Sequence, residues 1–325
     1  MPTIGPDQWL DLLEREYLSA FVTDGGSAVK FAVSLDEGGR EYLETQVADR
    51  ALKHGYLAAR VSADDTKVHM ADQIFFRVAE QIPWQLLARR VVAHLAEKCG
   101  YSVPVDGHEP LLPRIADTYG LEADFVLMRL NPMLNTDVFR RRELSRDFRV
   151  AMTHLCNAEL SGGVAGATAN QVLTDWLTGK NRFVSAAKPY QIFTRIDRTN
   201  ARFLFESLLR WIRFAGYPGL VVVLDISRIT LARNPRNRKL YYTKAAVLDA
   251  YEVLRQLIDG TDRLHGCLVV ALPDIEFLDD DNLGRGIGAY QALKFRVFDE
   301  VHDRNLVNPM AAMVRLSTAA VGGPL

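Results

Sequence analysis

The run Gly219-Leu-Val-Val-Val-Leu-Asp225 restricts what this chain can fold into more than any other stretch. Its five consecutive apolar residues offer no polar face to water. The run is therefore read as a strand buried on both sides within a parallel sheet. Gly266-Cys-Leu-Val-Val-Ala-Leu272, stopped by Pro273, reads the same way. Such strands need helices on both faces of their sheet, which makes the chain α/β. Near the N-terminus, Val29–Val33 predicts a strand, Ser34–Gly39 a loop, Arg40–Lys53 a helix and Tyr56–Val61 a second strand. Together they make one strand–loop–helix–strand unit of βαβ length.

The remainder is mostly helical in period. Trp9, Leu10, Leu13, Tyr17, Leu18 and Phe21 recur at helical spacing and end at the turn residues Asp24–Ser27. Met70, Ile74, Phe75 and Val78 form one helical face, Pro83 interrupts, and Leu86–Leu95 resumes. The pattern continues from Glu109 to Cys156, and Gly162–Ala167 is expected to be a flexible turn. Further helices are expected over Asn200–Phe214, Tyr242–Ile258 and Gln291–Val301, before a short tail. The domain expectation is a single α/β domain over 1–325, with a mostly helical insertion at 66–200 and no C-terminal winged helix evident.

Charge excludes little. The 325 residues carry 39 Lys+Arg and 40 Asp+Glu, a formal net charge of −1, so the chain is not basic throughout. No stretch approaches the ~18–20 apolar residues of a membrane span, and Met1–Tyr17 mixes Pro, Asp and Glu, unlike a signal peptide. No membrane partner and a cytoplasmic location are expected. Cys99, Cys156 and Cys267 lack metal-ligand spacing and read as reduced, buried thiols. Scattered histidines give no zinc pair, and no metal site is expected.

A strand, a Gly-containing loop and a helix, followed later by an apolar strand ending in Asp, is the skeleton of a P-loop NTPase. That chemistry uses the loop G-x-x-x-x-G-K-[ST], whose backbone N–H groups cradle phosphate while its Lys reaches the β/γ oxygens and its hydroxyl holds Mg²⁺. The matching stretch here is Ser34-Leu-Asp-Glu-Gly-Gly-Arg-Glu41. Gly38 and Gly39 remain, but Ser34 replaces the first Gly, Arg40 the Lys and Glu41 the hydroxyl. Asp36, Glu37 and Glu41 bring like charge towards a phosphate, each costing about 4 kcal/mol at roughly 4 Å for an effective dielectric of about 20. Arg40, with its planar head, does not replace Lys in a tight cradle. Asp225 stands at the position that would orient Mg²⁺, whereas Ile226 follows where a carboxylate would activate water, and Leu272-Pro273 replaces a polar sensor.

Several fragments in order resemble the P-loop ATP-binding proteins of bacterial BREX-type phage-defence islands, the BrxD-like family. They are Asp24–Phe31, Tyr241–Lys244 with Tyr251–Asp259, Phe277–Asp281, Ala289–Arg296 and Asn308–Met310, within a resemblance running from about Leu18 to Leu316. The resemblance implies an AAA-like P-loop core with a parallel sheet flanked by helices. It also implies a role in antiphage defence beside other proteins of the same operon. In the family, ATP binds through the loop matched by Ser34 to Glu41.

Charges are segregated locally. No acid lies between Asp225 and Asp249, while Arg228, Arg233, Arg236, Arg238, Lys239 and Lys244 do, with Tyr241 and Tyr242 among them. Arg228, Arg233, Arg236, Arg238, Lys239 and Tyr241 are candidate nucleic-acid contacts; the competing reading is a solvated loop or one paired with the protein's own acids. Arg140–Arg142, Arg146 and Arg149 are expected to pair with Glu143 and Asp147 within a helix. Asp274, Glu276 and Asp279–Asp281 have the charge to bind a divalent cation but lack the Gly and terminal Glu of an EF-hand loop. They read as a solvated acidic loop or a dock for a basic surface in preference to a metal site. Arg296 is a candidate arginine finger, or the partner in a structural salt bridge.

The leading expectation is a P-loop subunit of an antiphage complex that has lost ATPase chemistry, with no catalytic residue and no cofactor, acting as a structural or DNA-associated component. One alternative is a working ATPase binding ATP and Mg²⁺ with Arg40, Glu41 and Asp225 in unusual roles. The other is a nucleic-acid-binding module without nucleotide chemistry. Expected partners are other proteins of the operon, DNA, and a second copy of the chain in a homo-oligomer.

Overall fold

The structure is a computed structural model that describes residues 3–181, 183–231, 233, 238, 241–279, 284–298 and 308–318. In chain order, α1 (Pro6–Leu12) continues as wider helical turns over Leu13–Phe21, and β1 (Ser27–Ser34), α2 (Gly39–Lys53), β2 (Leu57–Ser62) and α3 (Ala71–Ala79) follow. A helical stretch comes next: α4 (Trp84–Lys98), α5 (Leu111–Tyr119), α6 (Ala123–Leu134), α7 (Arg146–Ser161), α8 (Gly163–Leu177) and α9 (Ala201–Phe214). Then come β3 (Leu220–Asp225), α10 (Lys244–Asp259), β4 (Cys267–Leu272), α11 (Gln291–Val297) and β5 (Met313–Leu316). The chain divides into two compact units, one formed by 1–78 with 218–325, the other by 79–217.

The first unit is built on a parallel five-stranded sheet in the order β2-β3-β4-β1-β5. β3 and β4 are buried along their whole length, as their apolar runs require. Side chains alternate between the faces. On one face Ala32, Val221, Val223, Leu268, Val270 and Leu272 pack against Trp9, Leu10 and Leu13 and against Leu43, Val47 and Ala51 of α2. On the other, Phe31 stacks on Phe277 at 5.9 Å, and Tyr251 of α10 meets Phe277 edge-on at 5.7 Å. Gly219 is a glycine for a steric reason: a Cβ there would lie 1.9 Å from the Gly266 carbonyl oxygen.

The register places the ends of all five strands along one edge, with Ser62 beside Asp225, Asp225 beside Leu272 and Ser34 beside Leu316. From β1 the chain leaves through α2 and crosses β4 and β3 to reach β2. From β4 it leaves in the opposite sense and passes β1 to reach β5. Adjacent strands β1 and β4 thus send their connections in opposite senses along the sheet, and a reversal of this kind at the carboxyl edge is where open α/β sheets commonly bind ligands.

Two sequence expectations need correction. The turn expected over Gly162–Ala167 is confined to Gly162 and Gly163, both with positive φ. α8 already starts at Gly163, and Val164–Ala167 are helical. The turn is fixed by contact, since a Cβ on Gly162 would lie 2.2 Å from Pro110 Cγ. The tail after α11 contains β5, a short edge strand whose alternation Met313-Val-Arg-Leu316 is half-buried. Of the helix expected over Gln291–Val301, residues 291–297 are helical and 299–301 lie outside the described residues.

The second unit consists of helices. Ser145 caps α7 by accepting the Phe148 N–H at 3.3 Å. α7 packs on α4 and α8, and its Leu155, Cys156 and Leu160 are fully buried. Arg140–Arg142 precede that helix: Arg141 pairs with Glu143 and Arg146 with Asp147, sequence neighbours and not partners one helical turn apart. The thiols of Cys156 and Cys267 are fully buried, and burial pushes both upwards, Cys267 to about 12.

Candidate functional site

The site lies at the carboxyl edge of the sheet, where β1 hands over to α2. The loop between them is the four residues Leu35–Gly38, and α2 begins at Gly39. Gly38 takes a left-handed conformation, φ 72°, at the N-cap of α2. Gly39 is excluded from any larger residue, because a Cβ there would fall 2.0 Å from Ser34 Oγ. Ser34 Oγ sits inside the loop and hydrogen-bonds with the Asp36 N–H at 3.3 Å. The Ser34 hydroxyl is thus tied to the loop backbone at Asp36 and lies against Gly39.

Arg40 points across the edge towards β3. Its Nη2 lies 2.7 Å from Glu41 Oε1, and its Nε lies 3.8 Å from Asp225 Oδ1. Burial opposes the Arg40 charge, but Asp225 and Glu41 more than offset it and hold the guanidinium above its usual pKa. Glu41 is held below the usual carboxylate range, first by its own backbone N–H at the helix start and then by Arg40. Asp36 turns away from the loop interior: the Thr318 N–H and the Ser317 hydroxyl donate to it at 2.6 and 2.9 Å and lower its pKa, the N–H having the larger effect. Its carboxylate is thus held, in its charged form, by the chain just after β5.

Asp225 is buried at the end of β3. Its Oδ1 accepts the Ser227 N–H at 2.9 Å and its Oδ2 accepts the Ser62 hydroxyl at 3.3 Å. Ile226, 1% exposed, and Leu272, fully buried, are both part of the apolar core. Sequence reasoning missed Ser62, Asp274 and Glu44 as neighbours. Asp274, just past β4, bears on Arg40 electrostatically, and Glu44 on α2 has its pKa raised by burial against the opposing pull of Arg60. The signal was available for two of them: Ser62 and Asp274 stand at strand ends, on the edge that carries Asp225. Among the described residues no cluster of three or more His, Cys, Asp or Glu is placed to hold a metal ion.

The other candidates separate. Arg228 lies 3.2 Å from Asp64, and the Tyr241 hydroxyl donates to the same carboxylate at 2.8 Å. Arg233 Nη1 donates to the Arg238 carbonyl at 3.0 Å. Arg236 and Lys239 lie outside the described residues, as do Asp280 and Asp281. Arg296 is on α11, bound to Asp259 of α10 through both Nε and Nη2 and to the Ala292 carbonyl. No helix among the described residues is long and apolar enough to cross a membrane.

A parallel five-stranded sheet flanked by helices, with a strand–loop–helix from β1 to α2 and Asp225 at the end of β3, defines an α/β protein. Compared with known families, residues 135–320 match the model of the BREX system ATP-binding protein BrxC/D. That is more than half of the chain, which therefore belongs to this family and is a component of an antiphage-defence system. The match takes in α7 to β5 and Asp225, and it leaves the Ser34–Glu41 loop outside. No curated protein and no solved structure matches the chain.

Proposed function

We propose that this chain is a P-loop subunit of an antiphage complex that keeps the architecture of an AAA-like ATPase and has given up ATP hydrolysis. Three features support the P-loop reading: the loop has the required length between β1 and α2, Gly39 starts the helix, and Asp225 ends β3 across the switch point. The observation that carries the loss of activity is the ion pairing of Arg40 with Glu41 and Asp225 over a loop already holding Ser34 Oγ. Mg²⁺-ATP does not fit this arrangement. The cation that would meet phosphate is neutralised, both Asp225 oxygens are engaged, and a carboxylate stands in place of the Mg²⁺-binding hydroxyl. The subunit then serves its complex through its surfaces.

Calorimetry with ATP and Mg²⁺, paired with a phosphate-release assay, tests this directly. No binding heat and no turnover are expected, alone or with the other proteins of the operon. Turnover abolished by Asp225→Ala would establish the opposite reading, a working ATPase with altered motifs.

A further inference from the structure

The helical unit carries an exposed segment in which cations and aromatic rings lie close together. Between Thr178 and Thr199 the sequence has five Lys or Arg residues and one acid, Asp197. That carboxylate is committed locally, accepting the Thr199 N–H at 2.9 Å and its hydroxyl at 2.5 Å. The segment is irregular but clamped: Ala187, Ile192 and Ile196 are buried, and the Tyr190 ring lies 5.3 Å from His154 on α7. Gln191 is held at φ 61°, a conformation rarely taken by a residue with a side chain. The exposed side chains of the segment include aromatic and cationic ones, set among Ser185, Ala186, Pro189, Gln191 and Thr194. Phe183 is 77% exposed and Phe193 59% exposed. Lys188, Arg195 and Arg198 are exposed, and no ion pair joins them to any described carboxylate within 4.0 Å. Arg146 of α7 bonds the Gln191 carbonyl at 3.3 Å and lies 5.8 Å from the centre of the Phe193 ring.

Water-exposed phenylalanines flanked by exposed cations are costly to maintain on a surface that meets only solvent. The same combination is what a flexible polyanion with aromatic bases requires, since cations track its backbone while rings stack on its bases. We propose that this face of the helical unit binds single-stranded nucleic acid, with Phe183 and Phe193 as stacking platforms and Lys188, Arg195 and Arg198 as phosphate contacts. Arg146 stiffens the platform by bridging Gln191 and Phe193. The proposal does not depend on the fate of the Ser34–Glu41 loop, and it uses residues other than the basic loop after Asp225, whose Arg228 is already paired with Asp64.

The test uses the full chain and fluorescence anisotropy with labelled oligo-dT and oligo-U of about 20 nucleotides, longer than one ~4–16-nucleotide binding site. Saturable binding is expected at about 50 mM salt, weakening as salt rises. The oligo-dT and oligo-U arms decide whether DNA or RNA is preferred. Phe183→Ala with Phe193→Ala should weaken binding by about tenfold or more. Lys188→Ala and Arg195→Ala should each reduce the slope of log affinity against log salt by about 0.7. All four side chains point outwards, so an unchanged unfolding midpoint accompanies each effect. Absence of binding, equal binding to a duplex of the same length, or indifference to the four substitutions would overturn the proposal. Displacement by polyglutamate as effective as by unlabelled oligonucleotide would overturn it too, assigning the face to an acidic protein partner. Loss of binding only in Arg233→Ala, Arg236→Ala, Arg238→Ala would return the function to the other loop.

Discussion

Arg40, the first charged residue of α2, and Asp225, the last residue of β3, are ion-paired at 3.8 Å across the carboxyl edge of the sheet. Each is the group that nucleotide chemistry would keep available for phosphate or metal, and each is the other's partner. Their side chains are 25% and 11% exposed, so water screens the pair only in part.

If that self-pairing and the Ser34 hydroxyl are what close the loop, restoring its standard residues should reopen it. Ser34→Gly with Arg40→Lys and Glu41→Thr is expected to bind Mg²⁺-ATP at least about tenfold more tightly than the native chain, a change of about 1.4 kcal/mol. Titration calorimetry reads the difference directly. Turnover is not expected to return, because Ile226 still stands where a water-activating carboxylate is needed.

The contact between Gly39 and Ser34 predicts a rescue. Gly39→Ala forces a Cβ to within 2.0 Å of Ser34 Oγ and should cost about 1–3 kcal/mol by overpacking. Adding Ser34→Gly removes the obstructing atom and should recover most of that loss. Denaturant unfolding of the two single variants and the double variant measures the coupling. Additive effects would mean that the two residues do not meet.

Lys30 stands in β1 with 6% exposure and carries its ammonium to the carbonyls of Met310 and Ala311, at 2.6 and 3.1 Å, beneath the Tyr17 ring. Lys30→Met keeps the stem and leaves both carbonyls without this donor. A loss of about 2 kcal/mol is expected. Thermal unfolding checks it, and proteolysis should become faster around residues 310–312, where the approach to β5 is released.

Glu252 of α10 has its carboxyl held at about 2, against an ordinary 4.5, chiefly by hydrogen bonds from Arg255, with Tyr290 and Gln256 adding to them. A carboxyl lowered in the folded state stabilises it fully above the unfolded value, and that contribution disappears as pH falls through the folded value. The group is partly exposed, so its worth at neutral pH is about 1 kcal/mol. Glu252→Gln should therefore lose about 1 kcal/mol at pH 7, and the gap to the native chain should close as pH falls from about 4.5 to about 2. Denaturant midpoints measured across that range follow the effect.

What could be read from sequence tracks how strongly each segment is determined locally. β3 and β4 were evident because a strand buried on both faces has nowhere to place polar residues. The β1 loop was legible because the spacing from Ser34 to Glu41 is fixed by the geometry of one loop and one helix start. β5 was not legible: an edge strand of four residues has too few apolar positions to show a period, and only its pairing with β1 makes it a strand. The helicity of α8 was hidden by its glycines, which suit a turn when viewed alone and are carried into a helix by packing. The partners of Asp36, Ser317 and Thr318, could not be foreseen because they are far away in sequence. The exposed Phe183 and Phe193 could not be told from core residues until their surroundings were known.

The sheet order also sets a timetable for synthesis. β1, residues 27–34, has only two neighbours, β4 at 267–272 and β5 at 313–316. On a ribosome, β1 and α2 emerge long before either neighbour exists. The helical unit at 79–217 is contiguous and can fold during that interval. The loop between β1 and α2 is therefore made before the helical unit and fixed in place after it. A chain cut short before Cys267 would leave β1 as an unpaired apolar strand, a substrate for chaperones and proteases, while the helical unit stands complete.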